Sequence, residues 1–81
     1  MNNEWCRLEL RLISEHRDSE VLLSKHLTLR QNLEIYFELT HTKIGNYLLV
    51  RTRDNHVLNR EKRLSELNLS EGERLDIYPV A

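Results

Sequence analysis

Four histidines and one cysteine carry the most reactive side chains of this sequence. A metal site or a catalytic triad needs several such groups brought together at matched spacing. None of the histidines has a second histidine or a cysteine three or four residues away; they are His16, His26, His41 and His56. We therefore expect all four to be solvated surface residues, and we predict no metal site.

The single cysteine, Cys6, cannot form a disulfide within the chain. It alternates in phase with Leu8, Leu10 and Leu12, which predicts a small buried side chain on a strand and not a reactive thiol. No nucleophile elbow, zinc-protease motif, phosphate-binding loop or pair of catalytic carboxylates can be assigned. We predict no enzymatic activity and no cofactor.

Recognition of another molecule is the class of function that remains. Arg51 and Arg53 are predicted to alternate on one side of a strand, where they could contact acidic protein or RNA. Acidic residues interleave with them, as on an ordinary solvated strand. The chain has twelve basic and thirteen acidic residues, so it has no net positive charge that would attract the phosphates of a nucleic acid. We predict a protein partner and no nucleic acid.

The amino-terminal strand supplies the other candidate contacts. Trp5 lies out of phase with Cys6, so we expect it on the outer face, on the side of Ile13. An exposed Trp5 with Ile13 would mark a contact patch, and partial cover by the neighbouring strand is the alternative. The predicted protein-binding residues are Trp5, Arg7, Arg11, Ile13, Arg51 and Arg53.

A chain of 81 residues is one domain, near the lower size limit for a core without metals or disulfides. Its longest apolar runs, 21–23 and 47–50, are far shorter than the ~20 residues that cross a bilayer. The polar start at residues 1–4 is unlike a signal peptide. We expect one domain over residues 1–81, located in the cytoplasm and not inserted in a membrane.

Alternation with period two predicts strands at both ends of the chain, and short apolar runs predict three more between them. The predicted strands are 5–13, 21–23, 47–50, 57–58 and 74–80. The polar cluster 14–19 predicts a long hairpin loop. Asp54 and Asn55 predict a tight turn, and Gly72 predicts another. Three leucines, Leu64, Leu67 and Leu69, predict one helical turn that plugs the sheet.

One helix is predicted in the middle of the chain. Thr28 and Gln31 have capping-box spacing, so the helix should begin at Leu29 and run to about His41, before Gly45 permits a reversal. Its buried stripe is predicted to contain Leu29, Leu33, Tyr36, Phe37 and Thr40. On the flank, Ile35 and Leu39 are either partly covered by loops or the start of a contact patch.

The order strand, strand, helix, strand, short strand, turn, strand resembles the ubiquitin fold. The likeness extends over nearly the whole chain. The run RLSELNLSEGERLDI, from Arg63 to Ile77, is similar to the leucine-containing turn and last strand of many ubiquitin-like proteins. The resemblance implies an α+β, β-grasp fold: a mixed sheet of four to five strands with one helix packed across it.

Within that fold, the segments YLLVRT and GERLDI in a chain of this length resemble the YukD and EsaB family, the small ubiquitin-like proteins of bacterial type VII secretion systems. That resemblance implies a cytosolic accessory or regulatory protein that binds its partner noncovalently. The implied partner is a cytosolic part of the membrane ATPase or of another membrane component. The oligomeric state stays open.

Three alternatives remain. In the first, the chain is a ubiquitin-like domain of a larger type VII membrane component. In the second, it is an RNA-binding module whose affinity for RNA falls steeply with salt. The third is a relative of ubiquitin and the sulfur carriers, which end in Gly-Gly. The chain ends in Tyr78, Pro79, Val80 and Ala81, so conjugation is not expected unless the native chain continues.

Overall fold

The computed structural model describes residues 4–80. Residues 1–3, which include most of the polar start noted above, and residue 81 lie outside the described residues.

Five strands form one sheet, and one helix lies between the second and third strands of the chain. The elements are β1 (Trp5–Leu12), β2 (Arg17–Ser24), α1 (Leu29–Leu39), β3 (Tyr47–Arg51), β4 (His56–Val57) and β5 (Glu73–Pro79). The sheet order is β2-β1-β5-β3-β4. The central strands β1 and β5 are parallel, and all other neighbouring strands are antiparallel. The predicted α+β, β-grasp fold is confirmed.

Strict alternation along β1 builds the inner layer of the core. Cys6, Leu8, Leu10 and Leu12 are all buried, and the residues between them are exposed or half-buried. Full burial of one such leucine stabilises the fold by about 1.5–3 kcal/mol. The sequence prediction that Cys6 is a buried apolar side chain is confirmed.

The helix packs its apolar stripe against this layer. Leu33 is fully buried and Phe37 is 8% exposed. At its start, the Thr28 hydroxyl accepts the Gln31 N–H at 3.1 Å, and Gln31 Oε1 accepts the Thr28 N–H at 3.0 Å. The predicted capping box and helix start are confirmed. Thr40 is exposed, because it caps the end of α1 and does not belong to the stripe.

The carboxyl end of α1 differs from the prediction. The helix ends at Leu39, and His41 makes the reversal with a φ of 54°. The Thr42 N–H donates to the Phe37 carbonyl at 2.8 Å, and the His41 N–H donates to the Glu38 carbonyl at 3.2 Å. These bonds form a Schellman motif, in which a left-handed residue closes the helix. The prediction that Gly45 makes the reversal is wrong.

The hairpin between β1 and β2 is also shorter than predicted. A 3-10 turn, Ile13–Glu15, and His16 at a φ of 50° join the strands, and β2 begins at Arg17. Antiparallel pairing with β1 extends over polar residues that the sequence placed in a loop. The prediction of a loop over 14–19 is wrong, because an edge strand tolerates polar residues that pair only through their backbone.

The turns after β3 agree more closely with the sequence prediction. Asn55 and Gly72 both adopt positive φ, 55° and 77°, as their turn positions predicted. A 3-10 turn at Leu64–Glu66 buries Leu64 against the core. β4 is His56–Val57, one residue earlier than predicted, and Leu58 is buried just beyond it.

Candidate protein-binding surfaces

The face of the sheet turned away from α1, here called the outer face, carries Arg7 and Arg11. Arg7 Nη1 lies 3.6 Å from Glu20 Oε2, and Arg7 Nε lies 3.7 Å from Glu71 Oε2. Arg11 Nε lies 3.5 Å from Asp18 Oδ1. Both arginines are therefore paired within the chain, although each stays substantially exposed. Such exposed pairs stabilise a fold by about 0–1 kcal/mol each.

Arg74 extends this charged network across β5. Its Nε donates to Glu9 Oε1 at 3.0 Å, a second bond joins its Nη2 to the same oxygen, and Asp18 lies 3.7 Å away. The hydrogen bonds and charge of Glu9 raise the pKa of Arg74. This part of the outer face is a network of ion pairs. Such a network favours specific polar contacts with a partner over nonspecific electrostatic attraction.

Arg51 and Arg53 do not form the one-sided stripe that the sequence suggested, because β3 ends at Arg51. Arg51 donates to both oxygens of Asp54, at 3.0 and 2.8 Å. These bonds lower the pKa of Asp54 from 3.8 to about 2 and raise that of Arg51. Arg53 lies beyond the strand, with its Nε 3.4 Å from Glu73 Oε2.

Trp5 and Ile13 lie at opposite ends of β1. Eight residue steps of an extended strand separate them by about 26 Å. Trp5 is 54% exposed, and Ile13 is half-buried in the 3-10 turn after the strand. The structure therefore does not bring the six predicted contact residues into one patch. The binding role of each residue stays a prediction.

A second part of the outer face is apolar and was missed from the sequence. Leu48 pairs with Tyr78, and Val50 pairs with Val57. Leu48, Val57 and Tyr78 are exposed, and we call these three the outer apolar patch. The unbroken apolar run at 47–50 held the signal, because such a run places apolar side chains on both faces of a strand.

A groove of about 360 Å³ lies between β2 and α1. Ile35 and Leu39 are 50% and 76% exposed, so loops do not cover the flank of the helix. Leu22 on β2 is 65% exposed. The lining is mostly apolar and includes Trp5, Val21, Leu22, Leu23, Leu27, Ile35, Tyr36 and Leu39. The sequence indicated the helix half of this surface and missed its strand half.

Asn32 is the buried polar residue beside this groove. It is 4% exposed, and its amide side chain holds the backbone of Ser24. Sequence analysis missed this role of Asn32, because the helical pattern alone predicts only an apolar stripe. A polar residue at a stripe position, four residues after the capping Thr28, was the available signal.

The reactive groups remain dispersed. Burial raises the pKa of the Cys6 thiol, and the nearby Glu71 carboxylate raises it further. His26 Nε2 lies 2.9 Å from Glu4 Oε1, and His16 and His41 occupy left-handed turn positions. Between residues 4 and 80, no cluster of three or more His, Cys, Asp or Glu side chains could hold a metal ion.

The same stretch of chain contains no helix that meets the length and hydropathy required of a membrane span.

No family model matches the chain, and no curated protein matches it. Solved structures share its fold. A chain described under "Molecular Mimicry of SUMO promotes DNA repair" superposes with a TM-score of 0.80 at 13% identity, over 95% of this chain and 94% of that one. The ubiquitin-like domain of the Mycobacterium tuberculosis type VII secretion protein EccD1 gives 0.65 at 12% identity, over 91% and 97%.

A chain of the MycP5-free ESX-5 inner membrane complex is a third similar structure. Its TM-score is 0.76 at 17% identity, and the match covers 98% of this chain but 22% of that one. Likeness at these identities establishes the fold alone. The chain has the ubiquitin-like β-grasp fold, and type VII secretion components are among the proteins that share it.

Proposed function

We propose that this chain is a non-catalytic, ubiquitin-like accessory or regulatory protein of a bacterial type VII secretion system. It acts in the cytoplasm, by noncovalent binding to a cytosolic part of a membrane component of that system. It requires no cofactor, no nucleic acid and no insertion in a membrane.

The observation that carries the proposal is the recurrence of this fold in type VII secretion components. The EccD1 domain and the ESX-5 chain each superpose on more than nine-tenths of this chain, with TM-scores of 0.65 and 0.76. The sequence resemblance to the YukD and EsaB family points to the same system independently. A binding role also suits the dispersed reactive groups described above.

The outer face is the proposed docking surface. Its apolar patch offers the exposed side chains of Leu48, Val57 and Tyr78. On the same face, Arg7 and Arg11 supply polar contacts that fix orientation, since their carboxylate partners are exposed and exchangeable. Trp5 shares the outer face at the far end of β1, whereas Ile13, Arg51 and Arg53 lie off it. These four residues are proposed as contacts of secondary importance.

Binding to purified soluble parts of the type VII membrane ATPase and channel subunit from the same genome tests the proposal. Calorimetry should give a complex that Leu48→Ser combined with Tyr78→Ser weakens about tenfold or more. Val80→Ser is the matched control, because Val80 is similarly exposed but lines a different hollow. Absence of binding, together with unchanged secretion of the system's small substrates in a deletion strain, would contradict the proposal.

A domain of a larger type VII membrane component is the second candidate. The ESX-5 match favours it, because the matched part makes up 22% of that chain. The intact mass of the native gene product separates the two candidates. A mass well above 9.8 kDa supports the larger component, and a mass near 9.8 kDa supports the free-standing protein.

A further inference from the structure

Basic side chains without an ion-pair partner concentrate near the start of α1. Seven of the twelve lysines and arginines form ion pairs with described residues. The other five are Lys25, Lys43, Arg60, Lys62 and Arg63, and four of these lie in the segments 25–30 and 59–66. The two segments contain five basic and two acidic residues, whereas the rest of the chain contains seven basic and eleven acidic ones. This end of the protein is therefore positive.

Backbone hydrogen bonds hold the two segments side by side. At one end the Ser65 N–H donates to the Lys25 carbonyl at 3.2 Å, and at the other the Arg30 N–H donates to the Arg60 carbonyl at 2.9 Å. Between these contacts, Arg63 forms an antiparallel bridge with the residue that caps α1. The four free cations therefore lie along a strip at most about 16 Å long. We call them the basic strip: Lys25, Arg60, Lys62 and Arg63.

The two carboxylates within these segments already bind other groups. Glu61 pairs with Arg30, whose Nε donates to Glu61 Oε2 at 2.6 Å. Glu66 Oε1 accepts the backbone N–H of Arg63 at 2.9 Å. Neither carboxylate forms an ion pair with a side chain of the basic strip. The cations of the strip are therefore available to a partner.

Arg60 is held in position by an aromatic ring. Its guanidinium carbon lies 4.6 Å from the centre of the Tyr47 ring. Tyr47 is buried and packs edge-on against Phe37, with the ring centres 5.4 Å apart. A side chain that is fixed before binding loses less conformational entropy on binding. Since a planar guanidinium can donate two parallel hydrogen bonds to a carboxylate, a fixed one favours directed recognition over diffuse attraction.

A hollow of about 280 Å³ lies at the Lys25 end of the basic strip. Buried apolar groups and polar groups both line it: Cys6, Lys25, Leu64, Ser65, Asn68 and Leu69. Cys6 and Leu64 are each 3% exposed, so they form its base. Such a hollow, beside a free ammonium group, suits an apolar side chain next to a carboxylate. A protein segment can supply both groups.

Other anionic occupants fit less well. The segments 25–30 and 59–66 contain none of the large exposed apolar residues that would anchor the strip in a bilayer. A second copy of this chain would offer few carboxylates. Outside these segments, Glu34 and Glu38 are the exposed acidic residues within 4–80 that form no ion pair. Two free carboxylates do not match four free cations.

We propose that the basic strip binds an acidic segment of a partner protein. Aspartate or glutamate side chains of that segment face Arg60, Lys62 and Arg63, and one apolar side chain enters the hollow beside Lys25. The inference rests on the proposed function only in that the partner is a protein. It concerns a different surface from the outer face, so each surface can be tested without the other.

A synthetic peptide tests the inference without any secretion component, so its failure would leave the proposed function standing. The probe is acetyl-Leu-Glu-Asp-Glu-Glu-Asp-Leu-amide, in which either direction of binding places a leucine at the hollow. Titration into the isotope-labelled protein should shift the amide resonances of Lys62, Arg63 and Ser65 and the Nε–H resonance of Arg60. A peptide with glutamine and asparagine in place of the acidic residues should bind at least about tenfold more weakly.

Two lysine variants locate the contact. Lys62→Gln should weaken peptide binding about threefold to fivefold. Lys43→Gln is the matched control, because Lys43 is also an exposed lysine without an ion pair but follows the opposite end of α1. That helix is about 16 Å long, which exceeds the Debye length of about 8 Å at physiological salt. Lys43→Gln should therefore leave the affinity unchanged.

Arg60→Lys separates directed recognition from general attraction. The variant keeps the positive charge but removes the planar guanidinium that lies over Tyr47. The affinity for the acidic peptide should therefore fall about threefold. Unchanged affinity in Arg60→Lys would overturn the inference. So would equal effects of Lys62→Gln and Lys43→Gln, equal affinity for the acidic and amide peptides, or no resonance shift up to about 1 mM peptide.

Three further measurements test the other occupants. Tighter binding to phosphatidylglycerol vesicles than to the acidic peptide would assign the strip to a membrane surface. Tighter binding to a polythymidine oligonucleotide would assign it to nucleic acid. Self-association, seen as dilution-dependent diffusion that Glu34→Gln combined with Glu38→Gln abolishes, would assign it to a second copy. Each of these results would overturn the inference, and weaker binding in all three measurements supports it.

Discussion

Asn32 in the helix and Ser24 at the end of β2 are joined by two hydrogen bonds of 2.9 Å, one to the N–H and one to the carbonyl of Ser24. The amide side chain thus replaces a neighbouring strand at this position. A third bond, from Asn32 Nδ2 to the Thr28 carbonyl at 3.1 Å, ties the same side chain to the start of α1. One buried residue therefore fixes the helix to the sheet edge.

Asn32→Ala should destabilise the fold by about 2–3 kcal/mol, because three hydrogen bonds are lost in a buried site. The thermal midpoint should fall by about 10–20 °C. Asn59→Ala is the control, since Asn59 is exposed and its side chain accepts one bond, from the Glu61 N–H. Equal losses of stability in the two variants would contradict the prediction that the three Asn32 bonds stabilise the fold more than the single Asn59 bond does.

His41→Gly should stabilise the protein. A left-handed residue with a β-carbon costs roughly 1–2 kcal/mol, and the added freedom of glycine in the unfolded chain costs about 0.5–1 kcal/mol. The net gain is about 0.5–1 kcal/mol, which raises the thermal midpoint by about 2–8 °C.

Gly45→Ala is the companion variant. Gly45 does not adopt positive φ, and a β-carbon there would have no atom within 4 Å. It should therefore be neutral or slightly stabilising in the same melt. A large loss of stability in Gly45→Ala, with no gain in His41→Gly, would contradict this prediction and would show that the chain reverses at Gly45.

Asp54 should titrate at unusually low pH. Its bonds from Arg51 lower its pKa from 3.8 to about 2. Because the folded pKa is below the unfolded one, the stabilisation by this pair is complete above pH 3.8 and is lost as the pH falls to about 2. Carbon-detected titration of the Asp54 carboxyl measures the pKa directly. Arg51→Gln should return it toward 3.8, and a normal value in the unmodified protein would refute the pairing.

Cys6 should react slowly in the folded protein. Burial and the Glu71 charge raise its pKa, so little thiolate is present at neutral pH and little of it is accessible. Alkylation of the native protein should be at least roughly an order of magnitude slower than in denaturant. Equal rates in the two states would mean that the thiol is exposed.

The elements set by local chemistry were predictable from the sequence. The Thr28 and Gln31 pair located the start of the helix, and alternation with Cys6 oriented β1. The residues that required tertiary partners were not predictable. Asn32 is a polar residue in an apolar stripe because its side chain hydrogen-bonds to the backbone of Ser24. Arg17 belongs to a strand because its backbone pairs with β1.

Surfaces that two elements form together were predicted least well. Arg51 and Arg53 were placed on one side of a strand, but β3 ends between them. Leu22 and Ile35 are 13 positions apart in the chain and share a groove only because α1 crosses beside the sheet edge. Periodicity describes one element at a time, so it does not predict a surface built from two.

Titration of the isotope-labelled protein with the soluble parts of the type VII membrane components decides whether the chain docks onto one of them. Docking through the outer face predicts saturable amide shifts around Leu48 and Tyr78, with the buried amides of Leu33 and Leu75 unchanged. The absence of shifts with every component, under conditions in which the protein is folded, would contradict it.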